Sequence, residues 1–159
     1  MAEGETPEIV GTTPKPPAFF DAMKEAGFGK FMLSVSDTGQ TKIHTNGTAS
    51  EWWVAFWHPE VVMQADDLPH GFLDPKLEGE HDYERTPYGF PFRTVDRKLD
   101  FVLISVHLAP GAREAARRKQ ELDGIHAWIE RNRGDEKDFI VLGDMNLESC
   151  AVLSKATTL

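Results

Sequence analysis

The pattern of apolar and polar positions predicts two buried strands separated by one long helix. Continuous apolar runs over 101–106 and 139–142 are typical of strands covered on both faces, because neither run alternates with polar residues. Between them, apolar residues recur at helical spacing over 112–131, and the predicted buried face consists of Ala115, Leu122, Ile125, Trp128 and Ile129. Basic residues of its first two turns are expected mostly on the solvent side: Arg113, Arg117, Arg118 and Lys119. Strand 99–108, this helix and strand 138–142 together predict a βαβ unit.

Shorter elements precede this unit. Apolar residues three to four positions apart predict a helix over 18–26. Runs rich in β-branched and aromatic residues predict strands over 31–35, 41–44 and 51–57. The stretch 64–91 is predicted to be a long polar loop whose acidic residues are solvated. A hairpin over 92–95 and 99–106 is expected to follow it.

The aromatic strand over 51–57 admits two interpretations. Two adjacent tryptophans, Trp52 and Trp53, cannot face the same side of a sheet, so both faces of this strand are expected to be covered. A packed core is the favoured interpretation, because these aromatic residues lie in a strand and not on a basic surface. The alternative is a surface on which nucleic-acid bases stack.

Proline content and the single cysteine bound the domain organisation. Four prolines within 1–17 predict a flexible N-terminal arm, followed by one domain over 18–149 and a tail over 150–159. Cys150 is the only cysteine of the chain, which excludes an internal disulfide and a cysteine-based zinc site.

Charge limits the kinds of partner that the chain can bind. The 159 residues carry a net charge of −9, and the sequence pI is about 5.1. The first 100 residues hold 9 basic and 17 acidic groups, so most of the net negative charge lies there. A protein that holds nucleic acid tightly usually shows a basic surface, and this composition argues against one. An enzyme that binds a phosphodiester briefly, with a divalent cation as the local positive charge, remains compatible.

Targeting signals are not evident in the sequence. The N-terminus is acidic and lacks the apolar segment of a signal peptide, and no apolar run approaches the length of a membrane span. A cytoplasmic location is therefore the default expectation.

Candidate chemistry is found at the ends of the two buried strands. Asp144 and Asn146 follow strand 139–142 after Gly143, and His107 ends the other strand. If the two strands pair in parallel, their carboxyl ends meet at one edge of the sheet, where α/β proteins bind ligands. A carboxylate, an amide and an imidazole together suit metal-assisted hydrolysis of a phosphate ester. The alternative is a strand followed by an ordinary polar turn.

Four segments, in this order, resemble the endonuclease/exonuclease/phosphatase superfamily typified by deoxyribonuclease I. The first is similar to the family's Glu-aromatic strand, and the second to its Arg-x-Pro segment. The third looks like the strand that ends in the catalytic histidine, and the fourth like the Gly-Asp-x-Asn motif. These segments are 51–59, 85–92, 105–108 and 143–146. The implied fold class is α/β (α+β): a partial four-layer α/β/β/α sandwich with a mixed β-sheet and flanking helices.

The resemblance implies a role for each matched residue. His107 would handle protons at the scissile phosphate, and Glu51 would orient its ring. Asp144 would lie near the cation and position the attacking water, so it is both a catalytic and a metal candidate. Asn146 would hold a phosphate oxygen or the metal, and Arg85 would contact substrate phosphate. The implied cofactor is Mg²⁺, with Mn²⁺ or Ca²⁺ as alternatives, and the implied substrate is a phosphodiester such as DNA.

The resemblance covers about residues 30–149, and the family's outer segments are not matched. Residues 1–30 lack the family's strands bearing a metal-binding Asn and a Gln-Glu pair, and its closing Ser-Asp-His is not found. We therefore expect weak or no activity from this chain alone and self-association through exposed sheet surface. Two alternatives stay open: a non-catalytic assembly module with this fold, or a phosphatase of the same family acting on a lipid or nucleotide phosphate.

Overall fold

Two helices and two sheets make up the described part of a computed structural model, which covers residues 17–28, 30–33, 53–73, 83–134 and 138–147. The helices are α1 (Pro17–Glu25) and α2 (Ala115–Asn132), and a 3₁₀ turn over Ala112–Glu114 leads into α2. The strands are β1 (Lys30–Leu33), β2 (Val54–Trp57), β3 (Val62–Gln64), β4 (Gly71–Phe72), β5 (Tyr88–Thr94), β6 (Asp100–His107) and β7 (Phe139–Asp144).

The larger sheet is mixed, and its parallel pair is the predicted βαβ unit. Its strands follow the order β3-β5-β6-β7, with β4 also paired to β5, while β1 and β2 form a separate antiparallel pair. β6 and β7 pair in parallel, whereas the pairs that β5 forms are antiparallel. The mixed α/β class and the βαβ prediction are therefore confirmed. The predicted coverage of strand 139–142 on both faces is wrong, because Ile140 and Leu142 are exposed.

One face of the larger sheet packs against α2. Val102, Ile104 and Val106 alternate along β6 and are buried, and they join Ile125 and Trp128 of α2 in one apolar cluster. Phe139 on β7 continues this cluster, because its ring meets that of Trp128 edge-on at 6.2 Å. The predicted burial of Ile125 and Trp128 is confirmed, whereas Ala115 is exposed at the start of the helix.

The opposite face packs against the smaller sheet. Phe90 and Phe92 of β5 share a cluster with Ala55 and Trp57 of β2, and Trp57 meets Phe92 edge-on with 5.4 Å between ring centroids. These β2 residues are therefore core residues, which confirms that interpretation for the described part of the aromatic strand. Phe19 of α1 contacts Phe56 from the other side of β2.

The predicted polar loop over 64–91 is wrong in its described part. Gln64 ends β3, β4 lies within the stretch, and β5 begins at Tyr88. Leu73 and Tyr83 are buried in the α2-side cluster, and the backbone nitrogen of Leu73 donates to the carbonyl of Pro87 at 3.0 Å. These single apolar residues are scattered among charged ones, so they give no periodic pattern, and only tertiary packing buries them.

Several predictions fall on residues outside the described ranges. They are the strand over 41–44, most of the N-terminal arm, Glu51 and the tail over 150–159. The domain boundaries at 18 and 149 and the four-layer arrangement stay predictions. Neither described helix has the length and apolarity that a membrane crossing requires.

Candidate functional site

The parallel pairing of β6 and β7 brings His107 opposite Asp144. The two residues are register partners at the carboxyl ends of their strands, although they lie 37 positions apart in sequence. The distance from His107 Nε2 to Asp144 Oδ2 is 3.8 Å, and the side chains are 32% and 63% exposed. The predicted meeting of these two residues at one sheet edge therefore occurs, and solvent reaches both side chains.

Gly143 allows the end of β7 to approach β6 closely. Its φ is +140°, and a Cβ atom at this position would lie 1.9 Å from the carbonyl oxygen of Val106. No other residue fits without displacing one of the two strands. The glycine thus sets the separation of the strands immediately before Asp144 and His107.

Asn146 forms a tight polar turn with Asp144. Its backbone nitrogen donates to Asp144 Oδ1 at 2.9 Å, and its φ of +48° lies in the left-handed region that Asn tolerates. Its side-chain Nδ2 donates to the carbonyl oxygen of Leu108 at 2.8 Å. This bond fixes the orientation of the amide, so Asn146 Oδ1 is the side-chain atom able to accept a donor or bind a cation.

Arg85 lies at the same end of the sheet as His107. Tyr88 pairs with Ser105 in the antiparallel β5–β6 ladder, so the residues before Tyr88 run toward the His107 end of β6. Arg85 is half-buried, and its Nε and Nη1 atoms are shielded from solvent. The next residue, Thr86, is buried, and its carbonyl accepts a hydrogen bond from Trp53 Nε1 at 2.9 Å. This bond joins the Arg85 segment to Trp53, the residue directly before β2.

The donor set at this site favours an oxygen-preferring cation. Asp144 supplies a carboxylate and Asn146 an amide oxygen, which are the ligand types of Mg²⁺, and Mg²⁺ commonly keeps several waters in addition. Among the described residues, no three His, Cys, Asp or Glu side chains come together in a way that could hold a metal ion. Asp144 and Asn146 are therefore the described residues of this site that could bind such a cation through oxygen.

A buried polar cluster next to the site was missed by the sequence reasoning. Arg118, which was expected on the solvent side, is 4% exposed, and Glu121 has no exposed surface. Both occupy the helix face that also buries Ile125 and Trp128, and spacing of three to four residues along that face is the signal that could have identified them. Burial raises the pKa of the Glu121 carboxyl, although hydrogen bonds from the amides of Ala109 and Glu84 oppose this effect.

Solved structures share this fold, although no family model and no curated sequence matches the chain. The human Nocturnin catalytic domain with bound sulfate anion aligns with a TM-score of 0.62 and 12% identity, over 90% of this chain and 52% of that one. D. rerio TDP2 complexed with a single-strand DNA product aligns with a TM-score of 0.50 and 13% identity, over 88% and 48%. A functionally unknown conserved protein from Enterococcus faecalis V583 aligns with a TM-score of 0.55 and 16% identity, over 79% of this chain and 49% of that one.

These similarities define the fold class of the chain. Nocturnin and TDP2 are members of the endonuclease/exonuclease/phosphatase superfamily, so the described architecture is the fold of that superfamily. The sequence resemblance to this superfamily is thereby confirmed at the level of the fold. The chain spans about half the length of the solved structures that it matches.

Proposed function

We propose that the chain carries a divalent-cation-dependent phosphodiesterase site at the carboxyl ends of β6 and β7. The observation that carries this proposal is the meeting of His107 and Asp144 across the two parallel strands, with 3.8 Å between Nε2 and Oδ2. An imidazole and a carboxylate at the solvent-accessible edge of an α/β sheet are the groups that acid–base hydrolysis of a phosphate ester uses.

Each residue of the site has a separate role in the proposed hydrolysis. His107 takes or gives a proton at a reacting oxygen, because imidazole exchanges protons near neutral pH. Asp144 orients the attacking water through its exposed carboxylate. The sequence resemblance assigns Glu51 the role of orienting the His107 ring. Arg85 binds a nonbridging phosphate oxygen through charge-assisted hydrogen bonds. Asn146, whose Nδ2 is already committed to Leu108, offers Oδ1.

Mg²⁺ is the cation that the donor set fits best, with Mn²⁺ and Ca²⁺ as alternatives. Asp144 and Asn146 would hold it through oxygen atoms. When bound, the cation supplies positive charge against the phosphate oxygens, which is the charge that this acidic chain otherwise lacks.

DNA is the first substrate to test. The TDP2 structure was obtained with a single-strand DNA product, and that protein shares the present fold. A chain with a net charge of −9 lacks nonspecific electrostatic attraction to nucleic acid, so we expect weak binding of a DNA substrate. A lipid or nucleotide phosphate is the alternative substrate class.

The decisive experiment is Mg²⁺-dependent hydrolysis with protein in excess over substrate, since we expect a slow rate from this chain. Plasmid nicking and release of nitrophenol from bis(p-nitrophenyl) phosphate measure the DNA and general phosphodiester activities. His107→Ala should lower the rate about 10²- to 10⁴-fold, the usual contribution of a proton-transfer group. His126→Ala is the matched control, because His126 lies on α2 with its side chain 41% exposed and should not affect hydrolysis. Hydrolysis that persists with chelator, or equally in both variants, contradicts the proposal.

A non-catalytic assembly module is the second candidate, and exposed apolar residues favour it. Ile140 and Leu142 alternate on one face of β7 and are 47% and 43% exposed. Association through this face would remove their side chains from water. Sedimentation of the wild type against Ile140→Lys tests this: a dimer that the substitution dissociates, combined with no phosphodiesterase activity, favours the module over the enzyme.

A further inference from the structure

Two charged residues on the buried face of α2 are almost completely removed from solvent. Arg118 and Glu121 lie one helical turn apart and are 4% and 0% exposed. Burying a charge is unfavourable unless it is paired, and apolar residues of similar volume often stabilise a core as well or better. Core packing alone therefore gives no reason for this pair. Both side chains instead form hydrogen bonds to the backbone of neighbouring segments.

The Glu121 carboxylate joins two separate backbone segments. Its Oε1 accepts a hydrogen bond from the amide of Glu84 at 2.8 Å, and its Oε2 accepts one from the amide of Ala109 at 2.8 Å. Glu84 directly precedes Arg85, and Ala109 follows His107 by two residues. One rigid side-chain group thus links the backbone next to Arg85 to the backbone next to His107.

The loop after His107 is held from both sides. On the β7 side, Leu108 donates to the carbonyl of Asp144 at 2.9 Å and accepts from Asn146 Nδ2. On the α2 side, Ala109 donates to Glu121, and its carbonyl accepts from Arg118 Nη1 at 3.1 Å. Every backbone hydrogen-bonding group of Leu108 and Ala109 is therefore occupied.

Arg117 adds a contact on the solvent-facing border of this cluster. Its Nη1 lies 2.8 Å from Glu84 Oε2, so both the backbone and the side chain of Glu84 are tied to α2. Arg118 Nη1 also donates to the carbonyl of Gly111 at 2.6 Å, which extends its hold to the end of the loop. These two Nη1 bonds direct the guanidinium at the loop, while Arg118 Nε has no hydrogen-bond partner within the part of the chain that the structure describes.

We propose that Glu121 is a positioning residue for the phosphate site, whose carboxylate sets the placement of Arg85 relative to His107. The role rests on the proposed phosphodiesterase function, because a fixed distance between the Arg85 and His107 side chains matters when both contact the same substrate. Without the carboxylate, the two segments stay connected through the pairing of β5 with β6 but lose the hydrogen-bonded bridge beyond the ends of these strands. Misplacement of a binding group by about 1 Å can lower a rate about 100-fold.

Glu121→Gln tests the bridge with nearly unchanged volume, since an amide can accept only one of the two hydrogen bonds and sets an N–H against the other donor. We expect kcat for bis(p-nitrophenyl) phosphate to fall about tenfold or more, with a smaller change in KM. We also expect amide hydrogen exchange to accelerate about tenfold at residues 84–86 and at Leu108, Ala109 and Gly111, while Ile104 in β6 keeps its protection. Glu130→Gln, the same substitution on an exposed part of α2, is the matched control and should change neither quantity.

Each result then has a definite meaning. Unchanged exchange at both segments overturns the proposal, and so does equal acceleration at Ile104, which indicates a purely structural role. If Glu121→Gln does not fold, through-hydrogen-bond scalar couplings in the wild type decide: the amide nitrogens of Glu84 and Ala109 should both couple to the Glu121 carboxyl carbon. Absence of either coupling overturns the bridge. If His107→Ala leaves hydrolysis unchanged, the proposed function is wrong. The exchange and coupling experiments do not depend on hydrolysis, so they still test whether Glu121 bridges the two segments.

Discussion

Asn146 and Leu108 are joined across the ends of β7 and β6 by a hydrogen bond of 2.8 Å from the Asn146 amide to the Leu108 carbonyl. Leu108 is the residue after His107, so the turn after β7 directly holds the chain that leaves the histidine. This contact makes the Gly-Asp-x-Asn segment a structural part of the site as well as a source of ligand atoms. The contact can be removed in two ways that separate its side-chain and backbone contributions.

Asn146→Ala should destabilise the protein by about 2 kcal/mol, since it loses a hydrogen bond and places alanine at a left-handed φ of +48°. Asn146→Gly loses the same hydrogen bond but tolerates this φ, so it should be destabilised by about half as much. Urea denaturation of the three proteins measures the difference. Equal destabilisation by alanine and glycine would contradict a contribution from the backbone conformation.

Gly143→Ala should destabilise the protein by about 3 kcal/mol, because the new Cβ would meet the Val106 carbonyl oxygen at 1.9 Å and the φ of +140° is strained for alanine. The strands must separate where His107 and Asp144 pair, so phosphodiester hydrolysis should fall with stability. Gly134→Ala is the matched control, since nothing lies within 4 Å of a Cβ built there. A Gly143→Ala protein that melts like the Gly134→Ala protein would show that the strand separation is wrong.

The parts of the site that follow from local pattern could be predicted, and those that depend on tertiary contacts could not. His107 and Asp144 each end a continuous apolar run, so parallel pairing sufficed to bring them together. Glu121 and Arg118 are residue types that normally face water, and only the backbone amides and carbonyls around them make their burial tolerable. A single sequence does not show which backbone groups a distant loop will present.

Arg93 should stabilise the protein at neutral pH and lose that effect in acid. Its guanidinium bonds Asp100 through Nε at 2.7 Å and through Nη2 at 2.8 Å, and Nη2 also lies 2.8 Å from Asp67 Oδ2. These bonds lower the pKa of both carboxyls below the ordinary value of 3.8. A lowered folded-state pKa gives stability that is present above the ordinary value and is lost as pH falls through the lowered one.

The measurement is the free energy of unfolding of wild type and Arg93→Gln from pH 7 down to pH 2. The wild type should be the more stable protein at pH 7, and the difference should shrink toward zero in acid. Lys119→Gln removes an exposed ion pair with Asp123 and serves as the control, with little effect at any pH. A difference between wild type and Arg93→Gln that does not change with pH would show that Arg93 acts through packing and not through these carboxylates.

Glu121 should give the opposite pH dependence, because burial raises the pKa of its carboxyl above the ordinary value of 4.5. A group with a raised folded-state pKa favours the folded state below its ordinary value, and this stabilisation is lost as pH rises through the raised one. The charge of Arg117 lowers the pKa of Glu121 and the charge of Glu84 raises it, and both effects are smaller than that of burial. The advantage of wild type over Glu121→Gln in free energy of unfolding should therefore be largest in acid and decline as pH rises. Glu130→Gln is the control and should show the same pH dependence of stability as the wild type. If the free-energy difference between wild type and Glu121→Gln instead grows with pH, the two amide hydrogen bonds to Glu121 outweigh the effect of its burial.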